Sequence, residues 1–353
     1  MTQQFVGAHA ARPLTRARLV GVVAACAVVA AVVAVVAPLV GAEVGRTGYH
    51  LQLLGPDALE PGSLDHTVLM LRVPRVLAAL LVGGALAGAG CGLQALLRNP
   101  LAEPFTLGIS SGSSLAAVLA IRLGLAGALG GLGVGLAALV GAAATLAAIA
   151  QLGRSGKALP PATVLLAGVT VSMFCGAASL LVQYTSDFAE VSHMLRWMLG
   201  GFDSTRLDTV GWAALPIGVG LVVLVAHARS LDALAAGPEA AASLGVSVAR
   251  TEAVVFAVSS LLVGVAIAVA GPIGFVGLIV PHALRALFGP DNRLLLPASV
   301  FGGGVLLAVC DTLARTVTSP APLPTGAVTA VLGGPFFVAI LVGYKRKAAM
   351  WSR

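Results

Sequence analysis

Apolar runs of about 20 residues recur along the chain, separated by short polar breaks. As a helix, each is long enough to cross about 30 Å of hydrocarbon. The first run covers 20–40, and a polar loop carrying Asp57, Glu60 and Asp65 fills 41–72. The second run, 76–97, holds no charge and carries Gly83, Gly84, Gly88, Gly90 and Gly92. Arg72 and Arg75 flank Pro74 just before it, and Arg98-Asn99-Pro100 closes it. The same pattern predicts further spans over 106–123, 126–152, 162–183, 208–226, 253–270, 275–288, 294–310 and 326–344. Polar and apolar residues do not alternate within these runs, as the strands of a lipid-facing barrel would require. In lipid the backbone must satisfy its own hydrogen bonds, so the runs read as helices. The expected fold is an all-α polytopic membrane protein with ten transmembrane helices.

The breaks carry their own patterns. Residues 193–202, HMLRWMLGGF, form a short amphipathic stretch suited to an interface. Residues 227–252 read as one or two short helices, starting at Gly237-Pro238 and stopping at Leu244-Gly245. The Ser- and Gly-rich start of the third span (Gly108, Ser110 to Ser114) predicts close packing or local unwinding.

Composition agrees with the membrane reading. The chain is 58% hydrophobic and 10% charged, against roughly 25% charged in a soluble domain. The net charge of +7 does not indicate nucleic-acid binding, because the basic residues lie in short loops and tails. With both termini cytoplasmic, 14 of the 21 Lys and Arg fall inside, including Arg12, Arg16, Arg18, Arg98, Arg285, Arg293 and the tail Lys345-Arg346-Lys347. Arg46, Arg72, Arg75, Arg122, Arg196, Arg206 and Arg315 fall outside. This bias follows the positive-inside rule. The first run exceeds the roughly 7–15 residues of a signal-peptide core, so it reads as a retained helix. The expected layout is a cytoplasmic tail at 1–18, a ten-helix transmembrane domain at 19–345 and a cytoplasmic tail at 346–353.

Candidate chemistry is sparse. Cys26, Cys91, Cys175 and Cys310 lie in or beside apolar runs, far apart, with no C-x-x-C; they read as small buried residues without a metal site or disulfide framework. Gly156-Lys157 is not a phosphate loop, since Gln151 and Ala158 break the pattern. His282 follows Pro281 and reads as a structural hydrogen-bonding residue. Away from their terminal turns, the predicted spans contain no Asp, Glu, Lys or Arg. Proton-coupled transporters use such groups as relays, so the energy for any transport is expected from a partner.

The ordered motifs resemble one family. They are Leu71-Arg72-Val73-Pro74-Arg75; Asn99-Pro100-Leu101-Ala102-Glu103-Pro104 with Leu107-Gly108-Ile109-Ser110; Leu165-Leu166-Ala167-Gly168-Val169; Trp197-Met198-Leu199-Gly200-Gly201; Gly271 to Leu278 through Pro281-His282; Asp311 with Arg315; and Leu323-Pro324-Thr325-Gly326 through Gly333-Gly334-Pro335-Phe336-Phe337. The set spans roughly 65–345 and is similar to the FecCD-type permease subunits of iron–siderophore and vitamin B12 ABC importers. The resemblance implies a type II ABC importer architecture and a homodimer or a pair of paralogous permeases. It also implies two cytoplasmic ATPases, an extracytoplasmic substrate-binding protein and a ferric siderophore as cargo, with haem or cobalamin as alternatives. ATP and Mg would be bound by the ATPases, with no cofactor and no catalysis in this chain. Arg72, Arg75 and Arg315 match the family's docking arginines. Residues 231–252 match its coupling helices, with Glu239, Leu244, Gly245 and Val246 facing the ATPase; Gly237-Pro238-Glu239 departs from the commoner Gly-Glu-Glu. Asn99, Pro100 and Leu101, with Pro161 and Ala162 beside them, would form a cytoplasmic gate. A secondary transporter and a non-transporting scaffold remain the readings from other classes.

Overall fold

The computed structural model describes residues 14–45, 48–103, 105, 108–125, 131–153, 161–203, 205–318 and 322–351. Most of the expected N-terminal tail, the basic loop 154–160 and residues 352–353 lie outside them, as does the side chain of Pro161. Among the described residues the helices are α1 (Arg16–Leu39), α2 (Leu64–Leu96), α3 (Ile109–Arg122), α4 (Gly131–Leu152), α5 (Pro161–Tyr184), α6 (Phe188–Met198) and α7 (Leu207–Ala226). They continue as α8 (Ala228–Ala235), α9 (Pro238–Ser243), α10 (Val248–Ala270), α11 (Val276–Phe288), α12 (Asn292–Val317) and α13 (Thr325–Trp351). Seven are long and apolar enough to span a bilayer, and α3, α11 and α13 supply three shorter apolar stretches. These ten coincide with the ten predicted spans. The short helices α6, α8 and α9 fall in the predicted breaks.

The polar loop expected at 41–72 is more ordered than its composition suggested. Its first part is an antiparallel hairpin, β1 (Val40–Gly45) and β2 (Gly48–Leu53), in register from Val40 opposite Leu53 to Gly45 opposite Gly48. A 3-10 turn over Pro56–Leu59 follows. Helix α2 then begins at Leu64, capped by the Ser63 side chain accepting from His66 N. It therefore starts twelve residues before the apolar run at Val76 and carries Arg72, Pro74 and Arg75 within it.

α2 is the axis of the bundle. At 33 residues it is about 50 Å long, and it is buried almost continuously from Val76 to Leu96. Lipid offers little hydrophobic drive between helices, so close van der Waals approach must hold them. The glycines permit that approach. A Cβ on Gly83 would overlap the Gly303 carbonyl of α12, and one on Gly303 would overlap that of Gly83. A Cβ on Gly304 would lie 2.7 Å from Leu80 O. On the next face, a Cβ on Gly90 would overlap Gly277 of α11. Backbone thus meets backbone along α2, α11 and α12. The Ser-rich start of α3 packs closely and stays helical: Ser113 Oγ donates to Ile109 O at 3.0 Å, and Gly112 abuts Thr145 of α4.

α12 also departs from its predicted bounds. The expected end at Cys310 is wrong, because the helix continues to Val317 and carries Asp311 and Arg315 inside it. Asp311 is fully buried. A charged residue looked like a helix end, but here its charge is met by partners on other elements, so the helix runs on.

Candidate functional site

Alternating helix directions give the bundle two ends. One carries Arg72, Arg75, Asp203, Asp311 and Arg315; the other carries Asn99, α8, α9 and Asp291. The helices connect them, and what each end holds is distinct.

The arginine end is an ion-pair network. Arg75 Nε donates to both Asp311 oxygens at 2.9 Å, and Arg75 Nη1 pairs with Asp203. Arg315, one turn from Asp311, pairs with it at 3.3 Å. Thr325 Oγ1, at the start of α13, donates to Asp311 Oδ1 at 2.8 Å. Arg315 also donates to the carbonyls of Val40 and Ala37, each at 3.2 Å, where α1 passes into the hairpin. Arg72 donates to Pro38 O at 3.4 Å, and its guanidinium lies against Gly41. The three predicted docking arginines are therefore brought together. Two of them are largely committed inside the protein: the Arg75 and Arg315 side chains are 11% and 9% exposed. Arg72 makes the lightest commitment of the three. The hub, Asp311, was read only as a partner of Arg315. Its spacing of four residues was the available signal, while Asp203 and Thr325 carried none.

At the opposite end α2 stops in a tight break. Arg98 adopts a left-handed conformation (φ 50) and Asn99 Oδ1 accepts from Leu101 N at 3.0 Å, an Asx turn. Pro100 cannot continue the helix. Leu96 and Leu97, Val164 of α5, and Glu252 and Phe256 of α10 line one crevice. The break thus adjoins the start of α5, the neighbourhood expected for Pro161 and Ala162. The chain then turns back into the bundle: Glu103 is buried, and its carboxylate accepts from the backbone N–H of Phe275. Phe275 is itself left-handed (φ 69) and caps the start of α11. Glu103 lies within a sequence motif, but nothing local marks this bond, whose partner is 172 residues away.

Within the expected break 227–252, α8 and α9 are the short helices, whereas 248–252 already belong to α10. α8 is seated by Ala228, Leu231 and Leu234, all buried. Gly237 (φ 114) and Gly245 (φ 82) take backbone conformations that favour glycine, starting and ending α9. Glu239 and Gly245 are exposed, Leu244 is 72% exposed and Val246 packs back on the core. Asp232 of α8 accepts from Asn292 N at 2.9 Å and from Asn292 Nδ2 at 2.8 Å. Burial raises its carboxyl to about 6, against these hydrogen bonds. Asp291 is held below the usual carboxylate range, chiefly by its hydrogen bonds from Arg293. His282 stacks edge-on against Phe336 with centroids 6.1 Å apart, a packing role.

A bundle with seven helices long and apolar enough to span a bilayer and three shorter apolar ones is that of a multi-pass membrane protein. The chain belongs to the FecCD transport family, whose model matches residues 44–343. It is 42% identical to the cobalamin import system permease protein BtuC of Halobacterium salinarum over 77% of this chain and 72% of that one. It is 39% identical to the hemin transport system permease protein HmuU of Yersinia pestis over 78% and 82%. Among solved structures, it matches a chain described as an inward-facing, metal-chelate type ABC transporter with TM-score 0.77 and 27% identity, covering 92% of this chain and 99% of that one. The fold is that of a type II ABC importer permease.

Proposed function

We propose that the protein is the membrane subunit through which a binding-protein-dependent importer carries a metal chelate into the cell. The observation that carries this reading is the pairing of two specialised ends on one FecCD bundle: an arginine cluster at one and an exposed two-helix segment at the other. The arginine end faces outward and receives the binding protein; the α8–α9 segment faces the cytoplasm and meets an ATPase through Glu239 to Val246. The positive-inside bias of the loops supports this orientation. ATP and Mg bind to the two ATPase subunits, and this chain carries no cofactor and no catalytic group.

A second permease copy completes the pathway. One face of α5 supports this: Leu166, Val169, Thr170, Met173, Gly176, Ala177 and Leu180 are all exposed, at spacings of three and four that form one stripe. It mixes apolar, small and hydroxyl residues, as helix contacts in membranes do. Docking at the outer end falls first on Arg72, with Arg75 and Arg315 setting the shape and field around it. The Asn99-Pro100-Leu101 break, beside Ala162 and Pro161, forms the cytoplasmic gate.

The cargo is a ferric siderophore, the class implied by the motifs. Cobalamin and haem stand beside it, since the named relatives import them; all three are metal chelates. Reconstitution with the ATPase and the binding protein in vesicles tests both levels. Uptake that requires ATP and the binding protein supports the importer, and uptake driven by an ion gradient alone would overturn it in favour of a secondary transporter. Comparing an iron-loaded siderophore, hemin and cobalamin under the same conditions assigns the cargo; transport of cobalamin or hemin without the siderophore would overturn that choice.

A further inference from the structure

One buried joint lies between the exposed α8–α9 segment and the core, away from the residues assigned to the ATPase contact. Its centre is Asn292, the first residue of α12, which is 4% exposed. Both its backbone N–H and its side-chain amide donate to one oxygen of Asp232 on α8. Its own carbonyl oxygen faces Cys91 Sγ of α2 at 3.7 Å. Three elements meet at this one side chain. The preceding residue, Asp291, caps α12 by accepting from Arg293 N at 3.0 Å. Asp232 is therefore the acceptor that fixes the short helix to the helix start.

What lies beyond α12 gives the joint its meaning. α12 runs unbroken for 26 residues, about 39 Å. Near its far end is Asp311, the hub of the arginine network. Midway, Gly303 and Gly83 bring it into backbone contact with α2. A displacement of α8 applied to the start of α12 is thus applied to an element fixed at its other end by Arg75, Arg315 and Thr325. By contrast, Leu244 and Glu239 are exposed.

We propose that Asp232 is a positioning residue for transport coupling: through Asn292 it joins the ATPase-facing segment to α12, and α12 carries the movement to the arginine end. This rests on the reading of α9 and the turn after it, Glu239 to Val246, as the ATPase contact; Asp232 lies outside that contact, bonded to α12. Glu239, Leu244, Gly245 and Val246 hold the ATPase; Asp232 passes on what the ATPase does. The two roles separate in experiment. Loss of the first loses the complex, whereas loss of the second leaves a complex that hydrolyses ATP without moving cargo.

The test uses the complete importer, purified with its ATPase and reconstituted with its binding protein. For Asp232→Ala, the expected result is wild-type co-purification of the ATPase, basal hydrolysis within about twofold, and a fall of about tenfold in cargo taken up per ATP hydrolysed, the size of a typical coupling between sites. That ratio does not fall merely because less protein folds. Exchanging the pair, Asp232→Asn with Asn292→Asp, rebuilds a donor and an acceptor across the joint and is expected to restore at least about half of the ratio. Should Asp232→Ala fail to accumulate, Asp232→Asn takes its place with an expected fall of about threefold, because one acceptor remains. A wild-type ratio in the single variant, or no restoration in the exchanged pair, overturns the joint. Failure of the unaltered chain to bind any ATPase overturns the assignment of Glu239 to Val246 itself, and the inference with it.

Discussion

Removing the carboxylate of Asp311 strips the arginine end of its hub. In Asp311→Ala, Arg75 Nε loses both of its 2.9 Å acceptors, Thr325 loses its 2.8 Å acceptor and Arg315 loses its ion pair. The two guanidinium groups, 11% and 9% exposed, are left near each other with one carboxylate fewer. Breaking a buried pair by deleting one partner costs about 3–5 kcal/mol. Asp203 still meets Arg75, and the Val40 and Ala37 carbonyls still meet Arg315, which places the loss near the lower bound, about 3 kcal/mol. A domain of 150–250 residues loses roughly 2–4 °C per kcal/mol, and a longer chain somewhat less, so the unfolding midpoint in detergent should drop by about 5 °C. The comparison is Asp311→Asn, which keeps the volume and one acceptor oxygen and should lose about half as much. Both variants are scanned at one heating rate, since membrane-protein unfolding is often irreversible and rate-dependent. A drop below about 1 °C for the alanine variant, or a larger drop for asparagine than for alanine, would refute the view that the buried charge balance holds this end together.

Other outcomes follow from the same contacts. Arg72→Glu disturbs only one long hydrogen bond, so it should fold normally while slowing binding-protein association about tenfold at low salt; surface-plasmon kinetics at two ionic strengths would read this, and an unchanged on-rate would remove Arg72 from docking. Arg75→Glu places an acid against Asp311 and Asp203 and should instead lower the folded yield, measured by size-exclusion recovery. Gly303→Ala must push its Cβ into the Gly83 carbonyl and should cost about 1–3 kcal/mol, whereas Gly211→Ala on α7 meets nothing within 4 Å and should be neutral or stabilising by up to about 1 kcal/mol; equal midpoints for the two would contradict the packing. Asp232 is raised to about 6 in the folded protein from an unfolded value near 3.9. The folded state then holds the proton more tightly, so this group's contribution to stability is full below about pH 4 and is lost as pH rises through about 6. Midpoints of wild type and Asp232→Asn across that window should converge at low pH, and parallel curves would reject the shift.

The ten spans were legible because each needs a continuous apolar run, which no distant contact can disguise. The limits of α2 and α12 were not. Both helices continue through charges, and the neutralising partners lie far away in sequence: Arg75 and Asp311 are 236 residues apart. A local reading must treat such a charge as an end. The hairpin over 40–53 was missed for a related reason: Glu43, His50 and Gln52 interrupt its apolar residues, leaving loop-like composition. The α8–α9 segment was legible in detail because Gly237, Pro238 and Gly245 act through local backbone preference alone. At the site, the motifs located Arg72, Arg75, Arg315 and the Asn99 break, but they could not distinguish an arginine available to a partner from one already paired. Asp203, Thr325 and the Asp232–Asn292 pair stand out only once the helices are assembled.

The distribution of contacts also decides which parts can move. α2 and α12 approach to backbone distance at Gly83, Gly303 and Gly304, so sliding one past the other would drive carbonyls together. Their arginine-side ends are tied through Asp311, which further favours motion of the two as one body. The freedom lies in the elements around them. α1 buries little besides Ala37 and Pro38, and its arginine-side end is held by three hydrogen bonds from Arg72 and Arg315. α5 is mostly uncovered. Between these parts stand two non-glycine residues with left-handed backbone, Arg98 and Phe275, a conformation that costs on the order of 1 kcal/mol or more and persists where surrounding contacts enforce it. Phe275 is enforced by Glu103 and by the close face of Gly333 on α13. A permease that opens to one side at a time needs rigid transmission through its middle and strained turns at its margins, and the placement of glycine contacts, buried charges and positive-φ residues divides this chain in that way.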